Sequence, residues 1–325
     1  MNNIYLPTQQ QEQFTFYSLQ KKHIELHLKH HMEIDMTSDT SVKHRWISID
    51  GTKIFYRETG NRDAPAILLP HGYPCSSYEF RNLMPKLADR WHLIAPDFPG
   101  SGLSDTPENF DYSFNGFAQF LNTFCNQLEI NKFAIYLHDF GSQIGLRFAI
   151  NHPEKIAALI IQNGDIYEDV LGPKYAALKE YWNDPSPARY AEIRNSINVN
   201  AFKDEFLNDV DTVIAERIPP DLWVFHWGLM TEQRKNIAAN VIAGLRENRE
   251  WFPRYQQYLR EHQPPTLILW GPNDGFMPEL SARAYLRDLP HAELNLLEDG
   301  GHWILETHIE HASALIRNFL NRNHH

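Results

Sequence analysis

A carboxylate stands at the tip of a sharp turn in the segment YLHDFGSQIG, residues 136–145. The apolar run before Asp139 has the pattern of a strand, and the residues after it have the pattern of a helix. Many hydrolases carry a serine at the tip of such a unit, and its hydroxyl attacks an acyl carbon. A carboxylate can instead displace a leaving group from saturated carbon and form an alkyl ester. We therefore expect Asp139 to be a nucleophile.

Two further residues that suit this chemistry also follow predicted strands. Asp274 comes after the apolar run TLILWG, and His302 comes after the last predicted strand, in LEDGGHW. The carboxyl ends of parallel strands meet at one edge of a sheet, so these residues can lie close together despite their separation in sequence. We expect Asp274 to orient His302, and His302 to take a proton from water.

The small residues around Asp139 fit a tight turn with one exception. Gly141 and Gly145 allow the turn and a close approach of helix and strand, whereas Leu137 is bulkier than the residue usually found there. Ser142 is a rival nucleophile, but it falls in the first turn of the predicted helix. We expect its hydroxyl to cap the backbone rather than to react.

The chain from residue 43 onward has the pattern of an α/β protein. RWISID and KIFYRE alternate apolar and polar residues on either side of Gly51, which favours an antiparallel hairpin. Continuous apolar runs predict parallel strands buried on both faces: AILLP, HLIAP, FAIYLH, ALIIQN, PTLILWG and AELNLLE. Helical stretches separate them, among them YEFRNLMPKLA, FNGFAQFLNTFCNQL and SQIGLRFAINHP. The expected fold is a mostly parallel, doubly wound α/β sheet.

Residues 166–262 interrupt this pattern with helical windows rich in Trp, Tyr, Arg and Asn. A helical block inserted between two strands would lie over the carboxyl edge of the sheet, where the active sites of α/β proteins lie. We therefore expect a core of residues 43–165 and 263–325 and a helical cap of residues 166–262.

Residues 1–42 are rich in Gln, His and Lys and poor in Gly and Pro. His23, His27 and His30 fall on one face at helical spacing and could share a metal, but no Cys or Glu completes a ligand set. We expect an N-terminal extension that is a solvated helix or disordered, and no metal site.

Composition excludes several classes of partner. Thirty Lys and Arg residues stand against 41 Asp and Glu residues, and the formal net charge of −11 argues against binding to nucleic acid or to anionic membranes. The two cysteines, Cys75 and Cys125, do not make a disulfide framework and indicate a reducing compartment. The chain contains no apolar run of about 18 residues and no secretory signal at its start. We expect a cytoplasmic protein.

From about residue 44 to its end the chain resembles the α/β-hydrolase superfamily, and within it the branch of epoxide hydrolases and haloalkane dehalogenases. The stretch HGYPCSSYEFRNLMPKLADRWHLIAPDFPGSGLSD resembles that branch throughout. HDFG matches its aspartate elbow, GPND its acid turn and GGHW its histidine turn, in the order that this scaffold requires. The resemblance implies an α/β-hydrolase fold with an inserted helical cap, and an enzyme that acts on a small apolar electrophilic substrate and water without a cofactor. A homodimer is compatible with it.

The resemblance also implies how an ester on Asp139 would be hydrolysed. Attack of water on the ester carbonyl produces an oxyanion, for which the backbone N–H groups of Tyr73 and Phe140 are the expected donors. The family further implies a cis peptide bond between Tyr73 and Pro74.

The expected leaving group is an epoxide oxygen rather than a halide. Haloalkane dehalogenases hold the halide with side-chain N–H donors, whereas this chain has Phe140 beside the nucleophile and Tyr73 where Asn often serves. Epoxide hydrolases protonate the ring oxygen with cap tyrosines, and the cap offers several: Tyr167, Tyr175, Tyr181, Tyr190, Tyr255 and Tyr258.

Tyr181, in KEYWNDP, best matches the position of the first family tyrosine, although packing within the cap is an alternative role for it. The position of the second falls near Gly244 and Leu245, where no tyrosine stands. His226 and Trp227 could line the pocket or pack within the cap. The leading hypothesis is an epoxide hydrolase. Carbon–halogen hydrolysis and a catalytically silent binding protein on the same fold are the alternatives.

Overall fold

The computed structural model describes residues 40–324. His23, His27 and His30, and with them most of the expected 1–42 extension, lie outside the described residues. None of the helices between residues 40 and 324 is long and apolar enough to cross a membrane.

Eight strands form one sheet in the order β1-β2-β4-β3-β5-β6-β7-β8. The strands are β1 (Lys43–Ile49), β2 (Thr52–Thr59), β3 (Ala66–Leu68), β4 (His92–Pro96), β5 (Phe133–His138), β6 (Ile156–Gln162), β7 (Thr266–Trp270) and β8 (Glu293–Leu296). β2 pairs antiparallel with β1 and with β4, whereas every other neighbouring pair is parallel. The predicted hairpin around Gly51 and the mostly parallel sheet are both confirmed.

Helices cover both faces of this sheet and its carboxyl edge. In the core they are α1 (Met84–Leu87), α2 (Phe114–Gln127) and α3 (Asp139–Asn151) before the cap, and α12 (Glu279–Ala284), α13 (Ile304–Thr307) and α14 (Ile309–Asn323) after it. In the cap they are α4 (Ala176–Asn183), α5 (Pro187–Ser196), α6 (Val199–Leu207), α7 (Thr212–Ala215), α8 (Asp221–Gly228), α9 (Glu232–Ala243), α10 (Leu245–Asn248) and α11 (Phe252–His262). Short 3₁₀ helices span Ser77–Phe80, Pro153–Lys155, Glu168–Val170, Pro173–Tyr175, Arg249–Trp251 and Tyr285–Arg287.

Strand β5 shows why its sequence is continuously apolar. Ile135 and Leu137 pack into the hydrophobic cluster that contains residues of α2 and α3. Ala134 and Tyr136 point to the other face and join the cluster that contains residues of α14. Successive side chains of a strand alternate between faces, so burial on both faces requires an apolar residue at nearly every position.

The helix expected over residues 78–88 is instead two short pieces, Ser77–Phe80 and α1. Pro85 is the second residue of α1. A proline has no N–H to donate and is tolerated in the first turn of a helix, but it cannot continue a helix that began several residues earlier. These residues contain helical structure as predicted, but the single helix expected there is wrong, because Pro85 starts a separate short helix.

The cap is tied to the core by Arg234 of α9. Its guanidinium donates to the backbone oxygens of Gly102 at 2.8 Å and Ser104 at 2.7 Å, and to Oγ1 of Thr106 at 3.0 Å. These bonds anchor α9 to the loop after β4. Helix α9 is therefore held next to the carboxyl end of β4.

Candidate active site

Asp139 lies where β5 ends and α3 begins. Its φ of 47° is in the left-handed region, which residues other than glycine rarely adopt, as expected for a strained turn. A Cβ on Gly141 would lie 2.4 Å from the backbone oxygen of Pro70, so only glycine fits there. A Cβ on Gly145 would lie 2.4 Å from Cδ2 of Leu137. The bulk of Leu137 thus fills the space that Gly145 leaves open.

Ser142 is fully buried in the first turn of α3. Its Oγ donates to the backbone oxygen of Asp139 at 2.6 Å. The hydroxyl therefore bonds to the helix backbone, and Asp139 alone occupies the tip of the turn.

Two backbone N–H groups near Asp139, those of Tyr73 and Phe140, are candidates for stabilising an oxyanion. Tyr73 N donates to Oδ1 of Asp139 at 2.6 Å, and the Tyr73–Pro74 peptide bond is cis, as the sequence motif implied. Phe140 is the second residue of α3, where the backbone N–H has no acceptor within the helix. These are the two groups that the sequence predicted as oxyanion donors.

His302 lies between Asp274 and Asp139. Its Nδ1 is 2.7 Å from Oδ2 of Asp274, and its Nε2 is 3.8 Å from Oδ2 of Asp139. Nε2 is buried and has no hydrogen-bond partner among the described residues. The structure thus brings together the three side chains that the sequence selected at the ends of β5, β7 and β8.

Burial and charge have opposite effects on the pKa values of Asp274 and His302. Burial alone would raise the pKa of Asp274, but the charge and hydrogen bond of His302 outweigh it and hold the pKa below its ordinary value. Burial would likewise lower the pKa of His302, but the charges of Asp274 and Asp139 raise it above its ordinary value. The charges of the two groups thus favour a carboxylate on Asp274 and a protonated ring on His302.

Asn163, directly after β6, links the turn of Asp139 to the turn of Asp274. Its backbone oxygen accepts from Asp139 N at 3.2 Å, and its Nδ2 donates to Oδ2 of Asp274 at 2.9 Å. Its side chain also accepts from the backbone N of Gly271 and donates to the backbone O of that residue, both at 3.0 Å. The sequence analysis missed Asn163, although its place at the end of a parallel strand was a usable signal.

Glu79 and His138 form a second buried pair, which lies next to the backbone of His302. Nδ1 of His138 is 2.5 Å from Oε1 of Glu79, and Nε2 of His138 is 3.2 Å from the backbone oxygen of His302. Oε2 of Glu79 accepts from Gly72 N at 3.3 Å. Glu79 thus contacts both the loop that carries Tyr73 and the side chain of His138, which in turn contacts the backbone of His302. No pattern in the sequence predicts the pairing of Glu79 with His138.

A cavity of about 430 Å³ lies between Asp139 and the cap. Its apolar wall contains residues from the core and from five cap helices: Tyr73, Phe140, Leu178, Ile193, Ile197, Phe202, Ile242, Leu245, Phe276 and Met277. Tyr175 lines it too, and burial raises the pKa of its phenol well above the ordinary value, with the charge of Asp165 adding to the rise. A site of this size and lining suits a small apolar molecule.

Tyr181 is not among the described residues that line this cavity. It is half-buried and packs against the cap cluster that contains Ile193 and Phe202. His226 and Trp227 do not line it either. His226 Nε2 bonds with Ser76 Oγ at 3.0 Å, and Trp227 packs edge-on against Phe202.

Glu205 is a carboxylate in this cavity that the sequence analysis did not select. It lies on α6, and its backbone oxygen accepts from Nε1 of Trp303 at 3.0 Å. Burial raises the pKa of Glu205 to about 7. An acidic residue in an amphipathic cap helix is normally solvated, so the sequence carries no signal that distinguishes Glu205 from its neighbours.

Comparisons with known proteins agree with this fold and these motifs. The family model for the alpha/beta hydrolase fold matches residues 65–309. The chain is similar to an uncharacterized hydrolase of Saccharomyces cerevisiae, with 36% identity over 270 residues that cover 80% of this chain and 90% of the relative. It is also similar to haloalkane dehalogenase 2 of Mycobacterium tuberculosis, with 26% identity over 305 residues that cover 89% of this chain and 100% of the relative.

Among solved structures, the epoxide hydrolase CorEH without ligand matches with a TM-score of 0.71 at 20% identity. The match covers 87% of this chain and 99% of that chain. At 20% identity it shows a shared fold and nothing further. The chain therefore belongs to the α/β-hydrolase fold family, as its motifs predicted, and is a hydrolase.

Proposed function

We propose that this hydrolase opens epoxides to diols through a covalent ester on Asp139. The observation that carries the proposal is the placement of the two carboxylate oxygens of Asp139. Tyr73 N holds Oδ1 at 2.6 Å, whereas Oδ2 accepts no hydrogen bond from residues 40–324 and lies 3.8 Å from Nε2 of His302. One oxygen is fixed where an oxyanion would form, and the other is free to attack carbon.

In the first step Oδ2 of Asp139 attacks a ring carbon, the carbon–oxygen bond of the epoxide breaks as the ester forms, and the ring oxygen takes a proton from an acid of the site. His302 returns a proton to that acid and is left as a neutral imidazole. In the second step His302 takes a proton from water, and the hydroxide attacks the ester carbonyl. The N–H groups of Tyr73 and Phe140 stabilise the oxyanion. Collapse of the tetrahedral intermediate releases the diol and restores the carboxylate of Asp139.

The charges around His302 suit this order of events. The carboxylate of Asp139 helps to keep the pKa of His302 raised in the resting enzyme. Ester formation removes that negative charge, so the pKa of His302 falls at the step in which it must act as a base.

The cavity wall favours an epoxide over an alkyl halide. Among the described residues that line it, no Trp or Asn side chain is present to donate an N–H bond to a departing halide. The aromatic side chains nearest the nucleophile are Phe140 and Tyr73, whose rings stack with centroids 5.8 Å apart. Lys174 and Arg189 also line the cavity, but Lys174 is paired with Asp209, and Arg189 is paired with two carboxylates of its own cap segment. A halide leaving beside Phe140 and Tyr73 would therefore lose its hydration without gaining an unpaired N–H donor from the described side chains of the cavity wall.

The test uses His302→Gln, which should block only the second step. Incubation of this variant with styrene oxide should add the mass of one substrate molecule to the intact protein. The matched variant Asp139→Asn/His302→Gln should gain no mass. An unchanged mass of His302→Gln, with a wild type that turns over the same epoxide, would rule out the covalent mechanism.

The same substrates separate the alternatives. Wild-type enzyme should release phenylethanediol from styrene oxide and should release little bromide from 1-bromohexane. If Asp139→Asn retained full affinity for a ligand and the wild type turned over neither substrate, the chain would be a binding protein on this fold.

A further inference from the structure

Ring opening of an epoxide needs a proton donor, because the ring oxygen leaves as an alkoxide unless it is protonated as the bond breaks. The family tyrosine expected at Tyr181 does not line the cavity, and no tyrosine stands near residues 244 and 245. Tyr175 does line it, but burial and the charge of Asp165 raise the pKa of its phenol. Tyr175 therefore gives up its proton less readily than an ordinary tyrosine.

Two glutamates line the cavity together with Asp139, Glu192 and Glu205. Glu192 is exposed to solvent, whereas Glu205 is partly buried and lies near enough to His302 and Asp139 for their charges to act on it. Among residues 40–324 its carboxyl group has no hydrogen bond or ion pair, and the nearby Lys174 pairs with Asp209 at 2.7 Å. The carboxyl group of Glu205 is therefore available to a bound molecule.

The backbone of Glu205 is fixed next to His302 by two contacts to Trp303. Nε1 of Trp303 donates to the backbone oxygen of Glu205, and the ring of Phe206 packs on Trp303 with centroids 4.5 Å apart. Helix α6 is thus held against the turn that carries His302. Glu205 cannot move away from the site without breaking these contacts.

We infer that Glu205 is the proton donor to the epoxide oxygen, an inference that rests on the epoxide hydrolysis proposed above. As Oδ2 of Asp139 bonds to the ring carbon, the carbon–oxygen bond breaks and the ring oxygen takes the proton of the Glu205 carboxyl group. The products of this step are the hydroxyalkyl ester of Asp139 and the carboxylate of Glu205.

Glu205 then recovers its proton from His302, directly or through a water in the cavity, which leaves the imidazole neutral. His302 takes a proton from water, and the departing alkoxide of the second step takes that proton from His302. The carboxylic acid left on Asp139 returns its own proton to His302. Every group ends as it began, and the net reaction is epoxide and water to diol.

The charges facing Glu205 suit this role. Burial raises its pKa to about 7, the negative charges of Asp139 and Asp274 add to the rise, and the positive charges of His302 and Lys174 oppose it. A donor with a pKa near the working pH combines a large protonated fraction with ready release of the proton. Loss of the charge on Asp139 in the ester lowers this pKa as the proton leaves.

The experiment follows the ester itself, so that only the alkylation step is measured. His302→Gln is incubated with styrene oxide, and the rate of mass gain is compared with that of Glu205→Gln/His302→Gln. The loss of the acid should slow mass gain by about 10²–10⁴-fold. Asp204→Asn/His302→Gln, which removes an exposed charge one residue away on the same helix, should match His302→Gln.

The pH dependence separates a proton donor from a structural role. With Glu205 present, mass gain should slow as the pH rises through the pKa of Glu205, because the donor loses its proton. In the His302→Gln background this pKa is higher than in the wild type, since the positive charge of His302 that lowers it is gone. With glutamine at this position the slow reaction should show no such decline. Glu205→Asp/His302→Gln, which keeps an acid, should recover part of the rate together with the decline at high pH.

Three outcomes overturn the inference. If Glu205→Gln/His302→Gln gains mass at a rate within threefold of His302→Gln, the donor is another group, and the ester mechanism itself survives. If Glu205→Gln slows the reaction but the decline at high pH remains, Glu205 has a structural role. If no variant that retains Asp139 gains mass, the proposed epoxide hydrolysis has failed as well.

Discussion

A Cβ on Gly72 would lie 2.5 Å from Cβ of Asp139 and 2.7 Å from its Oδ1. Non-bonded carbon and oxygen atoms do not approach this closely, so Asp139 and the loop that faces it fit together only because residue 72 has no side chain. The next residue supplies the N–H that bonds to Oδ1 of Asp139 at 2.6 Å. The short bond therefore depends on the missing Cβ.

Gly72→Ala should push the Tyr73 N–H away from Oδ1 of Asp139. Because loss of one oxyanion donor typically costs about 10²–10³ in rate, kcat for styrene oxide should fall by that factor. Steady-state kinetics and the melting temperature should be measured together. Gly228→Ala is the matched control, because a Cβ there would meet no atom within 4 Å. A Gly72→Ala enzyme with kcat within threefold of wild type would contradict this geometry.

Asn163→Ala should weaken the connection between the nucleophile turn and the acid turn. The substitution removes the bond to Oδ2 of Asp274 and the two bonds to the backbone of Gly271. A lost hydrogen bond to a buried charge is worth about 1.5–3 kcal/mol, so urea unfolding should show a loss of about that size. We expect kcat to fall about tenfold because the acid turn is less well positioned.

Asn195→Ala is the control for Asn163→Ala, since Asn195 is exposed on α5. It should change neither the free energy of unfolding nor kcat. If Asn163→Ala behaved in the same way, the bridge between the two turns would be unimportant.

Gly145 and Leu137 should be energetically coupled. Gly145→Ala should destabilise the fold by about 1–3 kcal/mol, because its Cβ would overlap Cδ2 of Leu137. Leu137→Ala alone should cost about 2–5 kcal/mol through the cavity that it leaves. In the double variant the new methyl group enters that cavity, so the combined loss should be smaller than the sum. Urea unfolding of the four proteins measures the coupling, and strict additivity would contradict the packing described here.

The sequence predicted the core better than the cap. Asp139, Asp274 and His302 could be found because parallel strands bring their carboxyl ends to one edge, so position in sequence translates into position in space. The burial of β5 on both faces could also be predicted, because it depends only on the alternation of side chains along one strand. The break in the helix before Pro85 depends on a single residue, so it too could have been predicted from the sequence.

The residues of the cap that face Asp139 could not be found in this way. Tyr175, Tyr181 and Glu205 lie on short helices whose orientation depends on how each packs against the core. Spacing along the chain selected Tyr181, whereas docking of the cap turns Tyr175 and Glu205 into the cavity. Pairings such as Glu79 with His138 join segments 59 residues apart and leave no periodic trace in the sequence.

Asp274→Asn should change both the speed and the pH dependence of ester hydrolysis. His302 acts on water only as a neutral imidazole, so the rate of hydrolysis should rise with pH through the pKa of His302. Asp274 is the largest charge that raises this pKa. Its removal should therefore move the rising part of the profile to lower pH. The rate on the plateau should still fall by about 10²–10⁴-fold, because the imidazole loses the partner that orients it.

The measurement is a single turnover in which ester formed on the enzyme is quenched with acid at intervals and followed by intact mass. Asp299→Asn is the matched control, because this exposed carboxylate lies three residues before His302 in the same turn region. Asp299→Asn should not shift the pH profile of ester hydrolysis. A slower Asp274→Asn enzyme whose profile rises at the wild-type pH would show that Asp274 positions His302 without setting its charge.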